Sequence, residues 1–386
     1  MIQILDKKDC CGCSACFQVC THRAIHMKSD GLGFLYPEIN YSLCVDCGLC
    51  DKVCAFKQED KSLEKCVSPI VYIGYLCDSV LLKESQSGGA FTAIAEFILS
   101  KNGIVYGAGF DENFQVVHKR IENTNDLPEL KGSKYVQSDM QNILKKVKDD
   151  LKVGKTVLFS GTPCQVAAIK SYVGQKNKDN LFLVDIICHG VSSPYIWRDY
   201  LQFMKTKTDD KLISVKFRNK KDFGWHSCIE SFFFKSKIVN ADIFAYLFYQ
   251  NIMFRPSCGV CPYTTLSRIS DITIGDAWRT NHVIDKRDGN EGKSLIICNT
   301  SKGTHLFSSL TSFFSEKVDI KDFMQPNLQM PTLLSKKSDK FYSQYEKNGF
   351  NYILKHYGNH GWRYKLKGKV QAFNYYYYLM LKWLKE

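Results

Sequence analysis

Nine of the seventeen cysteines lie in the first 54 residues, and eight of them fall into two copies of one spacing. Cys10, Cys13, Cys16 and Cys20 read C-x2-C-x2-C-x3-C, and Cys44, Cys47, Cys50 and Cys54 repeat it, each 34 residues after its counterpart. Three thiolates this close suit three corners of one [4Fe–4S] cube, and the fourth crosses to the other cube. The expected ligand sets are Cys10, Cys13, Cys16 and Cys54 for one cluster, and Cys44, Cys47, Cys50 and Cys20 for the other. Crossed ligation brings the cubes close together, as a wire for single electrons requires.

Zinc sites use C-x2-C pairs, but rarely three cysteines with a fourth at x3, twice over, and a disulfide framework suits this pattern less still. The spacing is that of two-cluster bacterial ferredoxins, so residues 1–60 are expected to form a dicluster [4Fe–4S] ferredoxin domain. The proline that usually follows the fourth cysteine is replaced by Thr21 and Ala55, which loosens the turn without removing a ligand. Cys11 lies outside the pattern and reads as a bystander.

The odd cysteine count, and an opening Met1–Asp6 without basic and apolar signal regions, point to a cytoplasmic protein with reduced thiols. No apolar run reaches the roughly 18–20 residues of a membrane-spanning helix. The net charge of +13 (52 basic less 39 acidic residues) comes mostly from dispersed lysines without a nucleic-acid motif, so nucleic acid is not an expected partner. Anionic clusters, a flavin dinucleotide, an acidic protein or a phosphorylated substrate would each draw on that excess.

A charged stretch, Lys57 to Lys65, ends the first domain, and residues 61–69 are assigned as linker. Beyond it strands and helices alternate. Strands are expected at 71–75, 104–110, 116–121, 156–160, 181–188, 213–217, 229–235, 271–274 and 294–299. Helices are expected at 89–100 and 140–151 and from Pro163 and Pro194. The fold class is mixed, α+β or α/β, with partly parallel strands: a small ferredoxin module followed by an α/β core. The core divides into 70–155 and 156–320, and a helical, basic and aromatic tail occupies 321–386.

Two turns share a construction. In Gly161-Thr162-Pro163-Cys164-Gln165, Thr162 is a natural N-cap, Pro163 takes the first helical position and Gln165 can close a capping box. Cys164 then sits in the first helical turn, where the macrodipole favours a thiolate. In Cys188-His189-Gly190-Val191, Cys188 ends a strand. Ligands of open α/β sheets bind at the carboxyl ends of strands. Cys258 and Cys261 add a C-x2-C on a tight loop. Spacing alone leaves two readings of these four: a third [4Fe–4S] cluster, or two buried cysteines plus half a zinc knuckle.

These motifs, followed by Asp271-Ile272-x-x-Gly275-Asp276-x-Trp278, occur in the order seen in the β-subunit family of coenzyme F420 (deazaflavin) hydrogenases and dehydrogenases, which the chain resembles over about residues 1–310. The resemblance implies an FAD-binding α/β core with a [4Fe–4S] cluster beside the flavin, held by the matching Cys164, Cys188, Cys258 and Cys261. Its flavin-contacting turn is similar to Ser87-Gly88-Gly89, and the loop after it to Lys131-Gly132-Ser133-Lys134-Tyr135. Gly292 and Ser294 could close the same pocket. Taken without the family, each of these is an ordinary surface turn. His189 and Asp276 are candidates for proton handling, against the simpler reading that they orient loops.

Lys216 to His226 mixes cations with aromatics and reads as a solvated hairpin, the rival being an anion site against a flat ring. The end of the chain, from Gly358 to Glu386, is basic and aromatic. It offers either a helix packed on the body or a weak membrane-surface contact. The expected function is an iron–sulfur flavoprotein oxidoreductase that passes electrons between the clusters and FAD to reduce or oxidise a small organic substrate. Its partner would be a redox protein such as a ferredoxin, or a partner oxidoreductase. The alternative is a non-catalytic electron-transfer subunit feeding a partner enzyme.

Overall fold

The computed structural model describes residues 1–57, 69–174, 178–278 and 290–359. The expected linker (but for its last residue) and nearly all of the basic, aromatic end of the chain lie outside the described residues.

The N-terminal module keeps the 34-residue repeat in its backbone. Helices α1 (Ala15–Val19) and α2 (Leu49–Val53) are related by that offset and touch each other. Positive φ recurs at the same offset, at Gly12 and Asp46 and again at Ser14 and Gly48. Two left-handed residues in each loop turn the chain tightly enough to aim successive cysteines inward. A hairpin of β1 (Ile25–Ser29) and β2 (Leu35–Ile39) completes the module.

One sheet organises the rest. Its strands are β3 (Ile70–Leu76), β4 (Ile104–Phe110), β5 (Val116–Ile121), β6 (Val157–Gly161) and β7 (Leu181–Ile186), then β11 (Ile272–Asp276), β12 (Ser294–Cys298) and β13 (Phe313–Lys317). Between β7 and β11, strands β8 (Leu212–Lys216), β9 (Glu230–Phe234) and β10 (Ile238–Ala241) make a separate antiparallel sheet. The large sheet has the order β13-β3-β12-β11-β7-β6-β4-β5. Its four central strands run parallel, and the strands on both flanks are antiparallel. The mixed α/β class expected from the alternation is the class observed.

The central strands read as unbroken apolar runs because both faces are covered. One face packs on α3 (Ser79–Glu84) and α4 (Ala90–Ser100), with Ile94 and Ile98 against Val105, Leu158 and Val184. The other packs on α5 (Ile143–Lys152) and α6 (Pro163–Val173), and that core also takes in Cys11, Cys13, Ala15 and Val53 of the module. The module is thus docked on the α5–α6 side of the sheet.

A third core is aromatic. It joins α7 (Pro194–Lys205), the small sheet and α9 (Ile243–Tyr249) through Trp197, Phe217, Phe232 and Phe244, while α8 (Lys220–Phe223) packs on α3. Helix α10 (Ser301–Ser308) packs on β12, and α11 (Ser338–His356), kinked at Gly349, inserts Phe341 and Ile353 into the aromatic core.

Two expectations need correction. Lys216 to His226 is not a solvated hairpin: Phe217, Arg218, Asn219, Lys220 and Trp225 are all buried. Strand β7 ends at Ile186 rather than Cys188, because only Ile187 still donates to the neighbouring strand, at Ile274 O, before the chain turns out.

Candidate functional site

Parallel neighbours put their carboxyl ends side by side, and that edge gathers most of the chemistry. Strand β6 leads into Thr162-Pro163-Cys164, β7 into Cys188, and β11 ends at Asp276. Asp276 pairs with Ser294 across the antiparallel β12, and Ser294 in turn with Gly74 of β3, so the Ser87-Gly88-Gly89 turn after β3 reaches the same edge.

The twelve cysteines form three groups. In the first, Cys16 feels the charges of Cys13, Cys10 and Cys54, and burial followed by Cys13 pushes the Cys54 thiol up to about 11. In the second, Cys20, Cys44, Cys47 and Cys50 line one small pocket, with Cys47 exposed. In the third, burial drives Cys188, Cys258 and Cys261 upward, Cys258 to about 12, and the neighbouring sulfurs add to the rise. The crossed sets read from spacing are the sets that come together here.

Backbone N–H groups face several of these sulfurs. Gly12 N–H lies 3.4 Å from Cys10 Sγ, Ala24 N–H 3.3 Å from Cys20 Sγ and Ile2 N–H 3.2 Å from Cys50 Sγ. Beside the third group, the Nε and Nη1 of buried Arg268 have no hydrogen-bond partner, and Arg268 stands 3.6 Å from an equally buried Asp185. Four half-buried thiols that repel one another as anions, with donors and a cation around them, fit a cationic metal core. Among the described residues no three His, Cys, Asp or Glu side chains converge on a single-ion site. A cube takes each thiolate on a different iron, so its ligands stand wider apart than those of one ion.

Cys11 is no bystander. Its thiol is buried and pushed well up because it serves Cys13 of the first group and Cys164 of the third. The same contact draws Cys164 down to about 7, helped by Thr162, whose Oγ1 is 3.2 Å from its sulfur. The expected cap forms here as well: Thr162 N–H donates to Gln165 Oε1 at 3.0 Å. Arg255, three residues before Cys258, reaches the module and donates to Cys10 O at 2.7 Å. Among the described residues the second group has no such bridge to the body, and its rim exposes Tyr41, Leu43, Val45 and Leu49.

The proposed flavin residues divide in two. Ser87, Gly88, Gly89, Gly292 and Ser294 form one packed knot: Ser294 Oγ accepts from Gly88 N–H at 2.9 Å and Ala90 N–H at 3.3 Å. A Cβ on Gly88 would meet Gly74 O at 2.1 Å, and one on Gly292 would meet Ser87 O at 2.6 Å. These close approaches are to the protein's own backbone.

Lys131, Ser133 and Lys134 instead line a cleft of about 1350 Å³, together with Gln86, Lys216, Arg218, Lys220 and Lys221. Gly132, at φ +85°, has open space where a Cβ would stand. Lys134 Nζ turns back to the carbonyls of Leu130 (3.0 Å) and Lys131 (2.8 Å), and burial lowers it to about 7. Tyr135 stacks on Phe248 at 4.5 Å, and burial lifts its hydroxyl to about 12. A basic cleft with a glycine cradle fits a dinucleotide phosphate.

Asp276 connects knot and cleft. Ser87 Oγ donates to its Oδ1, as does Trp225 Nε1 at 2.7 Å, while Arg218 Nη1 holds its Oδ2 at 2.9 Å. Trp225 stacks on Trp278 at 4.9 Å. Lys220, lowered to about 8 by burial, donates to Leu82 O and Ser87 O. The sequence singled out Asp276 but not Arg218 or Lys220, whose signal was the cation–aromatic mixture of 216–226. His189 sits between Asn251 Oδ1 (2.8 Å) and Asn327 Oδ1 (3.2 Å), held in place beside Cys188. His118 was unmarked in sequence. It is buried, hydrogen-bonded to Ser138 and Ser160, and lowered by burial to about 4.

Residues 154–319 match the family model that describes the C terminus of the coenzyme F420 hydrogenase/dehydrogenase beta subunit. That span holds the four cysteines of the third group together with Arg218 and Asp276. The chain is also similar to a chain in the xenon-derivatised structure of the F420-reducing [NiFe] hydrogenase complex from Methanosarcina barkeri. There the identity is 18% and the TM-score 0.46, over 76% of this chain and 92% of that one. No curated protein matches the chain.

Proposed function

Since residues 154–319 place the chain in the coenzyme F420 hydrogenase/dehydrogenase beta-subunit family, we propose that it is an iron–sulfur flavoprotein oxidoreductase working in the cytoplasm. The first and second cysteine groups would each hold a [4Fe–4S] cluster, as in a dicluster ferredoxin domain, and Cys164, Cys188, Cys258 and Cys261 a third. Bound there, the clusters supply one-electron carriage, and FAD in the basic cleft supplies the change between one- and two-electron chemistry.

One observation carries this reading: the first and second cysteine groups share one buried cluster, Cys11 joins the first to the third, and the third lies at the sheet edge where Asp276 holds Arg218 of the cleft. Cys47 and its exposed apolar rim present the outer group to a redox protein. Lys131, Lys216 and Lys221 bind the anionic parts of the dinucleotide, and Arg218, fixed by Asp276, faces the same space. A cleft of about 1350 Å³ also leaves room for a small organic substrate. That room favours an enzyme over the second reading, a non-catalytic subunit that hands electrons to a partner enzyme.

Anaerobically purified protein is expected to carry about twelve iron atoms per chain and FAD. Cys258→Ser removes about four of them and leaves the N-terminal pair. An iron content unchanged by that substitution removes the third cluster from the proposal, and protein without flavin removes the enzyme.

A further inference from the structure

Arg255 is only 1% exposed and every partner it has is uncharged or a thiol. Its Nε donates to Cys10 O at 2.7 Å, Nη1 to Gln137 Oε1 at 2.9 Å, and Nη2 to Leu35 O at 2.8 Å, with Cys10 Sγ 3.6 Å away. The rings of Tyr36 and Phe34 lie 4.2 and 5.4 Å from its Cζ. Among the described residues no carboxylate is paired with it. A buried guanidinium without a counter-ion is costly, and an anionic thiolate cluster is the counter-ion this site lacks.

The position is shared between two groups. Arg255 leads into the loop of Cys258 and Cys261, yet its guanidinium lies against Cys10 in the other module. Cys258 N–H donates to Arg255 O at 2.9 Å, while the guanidinium sits on Cys10 O and Sγ, so one residue is tied to a ligand of each group. Gly12 makes room for it: a Cβ there would come within 2.7 Å of Nη1. Among the described residues none of its hydrogen bonds or ring contacts involves Cys20, Cys44, Cys47 or Cys50.

We infer that Arg255 is a positioning residue that lends one buried positive charge to the first and third cysteine groups together and so sets their reduction potentials above the second's. A nearby cation stabilises the more negative, reduced state of a cluster. The inner pair then attracts electrons from the exposed group, which gives the path a direction. The inference rests on the proposed function, because it needs iron in all three groups.

The test is a redox titration of the full-length, anaerobically prepared protein followed by electron paramagnetic resonance, with iron content measured on the same samples. The second group's signal is the one that disappears in Cys47→Ser. In Arg255→Gln the reduction equilibrium of the other two clusters should fall by about tenfold each, which is 59 mV for one electron, while the second group's stays put. Arg255→Lys keeps the charge but loses the planar fork, so both potentials should remain near the wild-type values. Gly12→Ala displaces the guanidinium without removing it and should move the same two potentials by less.

Potentials unmoved in Arg255→Gln overturn the inference, as do equal shifts in the Gln and Lys variants, which mark a purely structural role. If Arg255→Gln fails to hold iron, Gly12→Ala decides: a shift confined to the inner pair supports the inference, and none overturns it. Wild-type protein short of four iron atoms breaks the proposed function, and the inference falls with it. Full iron with unmoved potentials breaks the inference alone.

Discussion

The two halves of the N-terminal repeat have the same cysteine spacing, matching helices and the same positive-φ residues, yet their loops meet opposite surroundings. Residues 11–16 are buried throughout, against the body of the protein, with Arg255 and Cys164 beside them. Residues 45–47 are exposed throughout, and Tyr41 and Val45 stand 68% and 58% open. Spacing decides what each half can hold. The neighbours decide whether that half faces a partner or the interior.

Breaking each half separately should show the largest contrast. Cys54→Ser, in the inner group, should remove about four iron atoms and cut electron delivery to the flavin by 100-fold or more, whatever the donor, because one link of a series is lost. Cys47→Ser should remove as many iron atoms but spare reduction of the inner clusters by a small artificial donor. Only delivery from a protein donor should collapse. Iron analysis and stopped-flow reduction with both donor types check the pair, and equal losses with the small donor would erase the distinction between the halves.

A smaller effect is expected at the far end of the path. Asp276→Asn loses the ion pair that fixes Arg218, a partner only 4% exposed. Turnover should drop about 10- to 100-fold with the full iron complement retained, and stability should fall by about 3 kcal/mol. Loss of iron in this variant would tie Asp276 to the clusters instead of the cleft. At the exposed rim, Leu43→Ser with Leu49→Ser should raise KM for a protein donor several-fold and leave kcat with a small donor unchanged, since rim contacts act on association.

An effect on stability alone, with electron transfer untouched, belongs to the body. His118 is neutral in the fold, with its pKa held near 4 by burial, below the 6.5 of an unfolded histidine. Its contribution to stability is complete above pH 6.5. It is lost as pH falls toward 4, by about 1.4 kcal/mol per unit. Thermal melts across that range should steepen in the wild type relative to His118→Gln, and parallel curves would refute it.

The parts legible in the sequence were those with a local pattern. The repeat announced both cysteine sets, and the cap at Thr162 and the strand periods placed Cys164 on its helix. Apolar runs in β4, β6 and β7 announced a buried, partly parallel sheet. What stayed hidden depended on distant packing. Cys11 looked redundant because its partner Cys164 lies 153 positions away (164 − 11). Lys216 to His226 looked soluble because no local signal says that Arg218 will meet Asp276. Helix α11 gave little warning because Gly349 interrupts it and its aromatic residues suit either a core or a surface.

The third cysteine group draws on three separate elements, the start of α6, the turn after β7 and the loop at 258–261, whereas the eight cysteines of the repeat sit within 45 positions (54 − 10 + 1). During synthesis the N-terminal eight leave the ribosome together and can close around metal while the rest is still being made. Cys164 and Cys188 must wait for the last 73 positions before Cys261 (261 − 188). They become neighbours only once β6 and β7 have paired. If the three groups hold the proposed clusters, maturation would run in two stages, and a cell starved of iron late in translation would accumulate chains whose front is metallated and whose interior is not.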